Sequence, residues 1–93
     1  MNMVSKKRKE NEEKLMRAIT TLQSIAESTT TPRNIRKVVK DSITMLQDGK
    51  LSPAVRAANV ISMLDEIAQD PNMPSFARVT LWSAVSTLEG IRE

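Results

Sequence analysis

The side chains best able to do chemistry in this sequence are cations, and they fall in two groups. Lys6, Lys7, Arg8 and Lys9 form an unbroken run of positive charge. Such a run contacts the phosphates of nucleic acid without regard to base sequence, and its grip weakens with salt. It also suits a solvated arm, because Lys6–Glu10 and Lys9–Glu13 stand at the i,i+4 spacing that pairs charges along a helix. The second group is Arg33, Asn34, Arg36, Lys37 and Lys40, just after Pro32. At spacings of three and four Arg33, Arg36, Lys37 and Lys40 fall on one side of a helix. Cations at a helix start oppose the local dipole. Their placement there points to a docked anion or acidic partner, met by N–H and guanidinium groups together. The competing reading is internal pairing, with Glu27 or with the acidic last part of the chain.

No catalytic constellation accompanies these cations. The chain has no histidine, cysteine or tyrosine, which leaves acid–base work to carboxylates and lysine. Its only glycines are Gly49 and Gly90, too few for a phosphate-cradling loop. Asp65, Glu66, Asp70 and Asn72 gather oxygen atoms near one turn, but their spacing matches no EF-hand loop. The sequence therefore predicts no enzyme, no cofactor and no bound metal. Two aromatic residues, Phe76 and Trp82, are too few for base-stacking platforms.

Charge is unevenly distributed along the 93 residues. Through Arg56 there are twelve Lys or Arg against six Asp or Glu, and from Ala57 onward two against five. The net charge is +3. No apolar run approaches the roughly 20 residues that a membrane span needs. No signal-type apolar segment follows the charged start. A cytoplasmic protein is the expectation.

The elements that would position the cations are helices. Pro32, Pro53 and Pro74 stand 21 residues apart. Proline suits a first helical turn, and Thr31 and Ser52 precede two of them as N-cap residues. Val39, Val60 and Leu81 follow the prolines at equal distance, then Ile43, Leu64 and Val85, then Leu46, Ile67 and Leu88. Ala18, Leu22 and Ile25 continue the pattern backward. This is the stripe of an amphipathic helix, repeated four times. Gly49 falls where a C-cap belongs, and Asp70-Pro71-Asn72-Met73-Pro74 reads as a tight connection. The expected helices cover about 8–27, 32–48, 53–69 and 74–91. Connections that short make consecutive helices antiparallel. The predicted architecture is an all-α, up-and-down bundle of four helices. Residues 10–93 form its single domain, and residues 1–9 are a basic arm that is either disordered or prolongs the first helix. Antiparallel pairing sets Glu66 against Arg78 and Glu27 against Arg33. Trp82 lies beside the core stripe, where a core anchor is favoured over an interface hot spot.

Pro32-Arg33-Asn34-Ile35-Arg36, Leu64-Asp65-Glu66-Ile67, the Asp70–Pro74 string, Arg78, Trp82 and Leu88-Glu89 resemble a family of small archaeal proteins. The likeness runs from about Leu22 to Ile91. It implies an all-helical, cytoplasmic protein and brings no activity with it, because the family has none assigned.

Two functions follow. The first is a non-enzymatic interaction module, with the Arg33–Lys40 region binding an acidic protein surface or the chain associating with itself through faces of unequal charge. The alternative is an accessory RNA- or DNA-binding protein, with Lys6–Lys9 and the Arg33–Lys40 face on phosphates.

Overall fold

The computed structural model describes residues 3–92, and the side chains from Lys6 onward. The described residues form four helices and no strand: α1 (Met3–Ala26), α2 (Arg33–Leu46), α3 (Pro53–Ile67) and α4 (Ser75–Glu89). Each helix packs against the next, and α4 closes the ring against α1. Asn11 and Lys14, in the first half of α1, bond to the carbonyls of Arg92 and Gly90 beyond the end of α4. Asn34, at the start of α2, reaches Asp70 beyond the end of α3. The bundle is therefore antiparallel, as the short connections predict.

The repeated stripe is the core. Ala18, Leu22, Ile25, Val39, Val60, Leu64, Leu81, Val85, Leu46 and Leu88 are all buried, and Leu15 and Ile35 join them. Ile43 and Ile67 are half-buried against this cluster. Burying such a side chain contributes roughly 1.5–3 kcal/mol, so these residues carry the fold.

The helix starts differ from the expectation in one instructive way. Ser52 caps α3, its hydroxyl accepting from the Val55 N–H at 3.3 Å, and Pro53 is the first helical residue. In α2 and α4 the proline itself is the N-cap residue, Pro32 and Pro74. Thr31 is thus not a cap; it lies one residue outside and is buried. A locked proline φ near −65° fits either position. The equivalent starts are Pro32, Ser52 and Pro74, separated by 20 and 22 residues rather than 21. Gly49 is not a C-cap either. Gln47 fills that position in right-handed geometry, and no described residue has positive φ.

The three connections share one construction. Ser28, Asp48 and Asp70 each donate their N–H to the carbonyl three residues earlier, in the end of the preceding helix. Each then accepts at its own carbonyl from the N–H three residues later, at Thr31, Leu51 and Met73. The Asp48 and Asp70 carboxylates accept from the N–H groups of Lys50 at 3.0 Å and Asn72 at 2.8 Å. Pro71 and Pro74 stiffen the last of these turns.

Candidate functional site

The helix register also places one arginine four residues after each N-cap: Arg36, Arg56 and Arg78. Arg78 turns back across its connection and donates to the carbonyls of Ala68 at 2.7 Å and Asp70 at 3.2 Å. It satisfies the free carbonyl end of α3 and makes no ion pair with Glu66. Arg56 does the same for α2, donating to Leu46 at 3.1 Å and Leu51 at 2.9 Å. Its remaining nitrogen meets Glu12 of α1 at 3.0 Å. Because Pro53 begins α3 one position early relative to the core stripe, Arg56 rotates inward and is only 7% exposed. Arg36 is half-buried, and its Nε is buried without a partner. Two of these three cations therefore have an internal use: Arg56 and Arg78 bind carbonyls at the end of the helix before and in the connection. Sequence reasoning missed Arg56, although the spacing Pro32–Arg36, Ser52–Arg56, Pro74–Arg78 was a usable signal.

The second predicted cation group is broken up by the fold. Arg33, Lys37 and Lys40 are exposed on the outer side of α2, and Arg36 leaves them for the flank. Lys37 pairs with Asp41 at 3.2 Å in an exposed contact, worth about 0–1 kcal/mol. Asn34 donates to the Asp70 carboxylate at 3.1 Å. Glu27 and Arg33 form no ion pair. Among the described residues the ion pairs are Lys37–Asp41 and Arg56–Glu12, so Lys6–Glu10 and Lys9–Glu13 do not pair.

The first group stands elsewhere and differently. The inward face of α1 passes from Leu15 to Asn11 to Lys7, from apolar to polar to charged, at steps of four. Among the described side chains, Asn11 is the last buried residue of that face, its amide donating to the Arg92 carbonyl at 2.8 Å. Before it the helix overhangs the bundle, and Lys6, Lys7, Arg8, Lys9 and Glu10 are all exposed. At about 100° per residue, the four cations point in four directions around the helix. Beneath the overhang lies an open groove of about 600 Å³ between α1 and the connection from α2 to α3. Lys7, Arg8, Lys50 and Arg56 line it, and among the described residues Glu12 is the only carboxylate there.

Among the described residues, no three Asp, Glu, His or Cys converge where they could hold a metal ion. Asp70 serves its turn instead, one carboxylate oxygen on Asn72 and the other on Asn34. No helix is long and apolar enough to cross a membrane among those residues. Trp82, favoured as a core anchor, is 44% exposed on α4.

Fold and site define a small all-α bundle with a cationic overhang at one end. The chain belongs to the uncharacterised protein family UPF0147, whose family model matches residues 2–91. A UPF0147 protein of Metallosphaera sedula is 55% identical over 84 residues, covering 90% of this chain and 94% of that one. Two crystal structures superpose closely. The protein of unknown function MMP1188 has a TM-score of 0.83 at 40% identity, covering 86% of this chain and 91% of its own. A UPF0147 member from Thermoplasma acidophilum has 0.82 at 34% identity, covering 90% and 99%. The family resemblance and the helical fold expected from the sequence are thus both established, and the family carries no assigned activity.

Proposed function

We propose that this protein is a non-enzymatic, cytoplasmic binding module that docks the phosphate backbone of a nucleic-acid duplex with the overhanging start of α1. The observation that carries this reading is the placement of Lys6, Lys7, Arg8 and Lys9 around all sides of one exposed helical turn. A flat acidic protein surface meets only one side of such a helix. A duplex groove flanks a helix with phosphates on two walls, and the major groove of B-DNA admits a helix. Lys50 adds a cation beside the overhang. The Arg33–Lys40 face contributes less, since Lys37 is paired, Asn34 is engaged by Asp70 and Arg36 is half-buried.

Binding of this kind is sequence-blind. Fluorescence anisotropy with mixed-sequence duplex DNA and duplex RNA is the test. With about four phosphates neutralised, affinity falls about a hundredfold between 50 and 200 mM salt. The double variant K7E/R8E loses binding while its thermal unfolding is unchanged. Absence of binding at low salt, or affinity indifferent to these charges, overturns the reading.

A further inference from the structure

The outer face of α4 is unlike those of the other helices. A bundle helix normally turns charged and polar side chains to water. On α1 these include Glu13 and Arg17, on α2 Arg33 and Lys40, on α3 Asp65 and Glu66. The exposed positions of α4 from its start to Ser86 are Ser75, Phe76, Val79, Trp82, Ser83 and Ser86, none of them charged. Arg78, the one cation of the helix, is turned back onto backbone carbonyls. Phe76 and Trp82 are each 44% exposed and Val79 is 72% exposed. Charge depletion with exposed aromatic side chains is the composition of an interface centre.

The order of residues along this face identifies its occupant. The large side chains Phe76 and Val79 lie in the first half, and the small Ser83 and Ser86 in the second. Glu89 stands at the far end, exposed. At the near end the N-cap is Pro74, which gives no side-chain hydrogen bond, and the first turn holds no acid. A pattern that is large and N–H-rich at one end, small and anionic at the other, complements itself when reversed. That is the requirement of a two-fold contact. We infer that two copies of this chain pair antiparallel along α4, forming a homodimer through an uncharged face. In the register that sets Phe76 against Ser86, Val79 meets Ser83 and the two Trp82 rings lie beside the two-fold axis. Glu89 of each copy then reaches the uncapped helix start of the other, where a carboxylate is favoured. The face also suits a second copy because a chain of net charge +3 repels itself elsewhere. A pair of 15-residue helices is about 22 Å long and buries less than the about 800 Å² per partner of a stable complex. The dimer is therefore a weak one that exchanges with monomer. It is independent of the duplex-binding reading, which concerns the start of α1.

Sedimentation equilibrium of the full chain, at concentrations up to about 1 mM, reads dissociation constants of that order. The expected result is a monomer–dimer equilibrium, with Trp82 emission shifting to shorter wavelength as dimer forms. Val79→Lys brings like charges together near the axis and raises the dissociation constant at least tenfold, on the order of one decade per lost apolar contact. Ser83→Arg does the same from the facing position, and both replace exposed side chains, so helix content by circular dichroism stays constant. Glu89→Gln weakens the dimer several-fold. A strict monomer at the highest concentration overturns the inference, as does a dimer that survives both V79K and S83R.

Discussion

The Arg56 guanidinium and the Glu12 carboxylate meet at 3.0 Å across 44 residues of sequence. Arg56 is nearly buried and Glu12 about half exposed, so the pair joins the edge of the core to the floor of the cationic groove. The same arginine holds two backbone carbonyls, which makes it the point where α1, α2 and α3 are fastened together.

Arg56→Met removes all three bonds and leaves the Leu46 carbonyl without its donor. Its cost is about 2–3 kcal/mol, the scale of lost hydrogen bonds to a charged group. Arg56→Lys recovers only part, because an ammonium cannot span the forked contact. Glu12→Gln costs less than about 1 kcal/mol, since its loss leaves the two carbonyl bonds in place. Urea denaturation of the three variants checks the order, and an R56M protein as stable as the parent would refute the fastening role.

Thr31 is 2% exposed, and its hydroxyl has no hydrogen-bond partner. Thr31→Val keeps the shape and removes the stranded polar group. The variant is more stable by about 1 kcal/mol, read as a higher denaturation midpoint at unchanged slope.

Asp70 serves both Asn72 and Asn34. Asp70→Ala destabilises by about 1–2 kcal/mol through the turn. Asn34→Ala, which removes only the contact between α2 and the end of α3, costs roughly half as much or less. A double-mutant cycle gives the coupling between them, and strict additivity would show that the Asn34 contact contributes nothing.

Glu10 and Glu13 follow the cation run and are exposed without ion-pair partners. In duplex binding they face the same phosphates and repel them. E10Q/E13Q therefore tightens binding several-fold at low salt, with the gain vanishing as salt rises. Anisotropy titrations of the double variant decide this, and unchanged affinity would place the contact away from α1.

The core was legible in the sequence because burial follows side-chain type at a helical period. Val39, Leu64 and Leu88 could be read as interior with no knowledge of their neighbours. Arg56 and Arg78 could not be read this way. Their partners are carbonyl oxygens, which every residue carries, so no partner residue marks the bond. The proline spacing misplaced the start of α2 because one ring geometry serves both the cap and the first helical position. Trp82 sits about 100° from Leu81 on the helix circle, at the margin where period alone does not separate core from surface. Of the candidate sites, the Lys6–Lys9 run was visible as charge. Its all-round presentation required knowing that α1 continues past Asn11, beyond the end of the bundle.

In the second and third connections the bonds close largely within the corner or onto the arginine just after it. Those two corners are largely self-contained, each carrying its own latch. Giving the first connection the Asp70–Arg78 corner in place of Ser28–Arg36 would bring a fastening that Arg36 does not make. The helices between them are not interchangeable in this way, since α3 starts one position earlier than α2 and α4 relative to a core stripe that keeps its own spacing. Chain length between corners is thus the constrained quantity in this bundle, and an insertion tolerated inside a corner would be ruinous one turn further on.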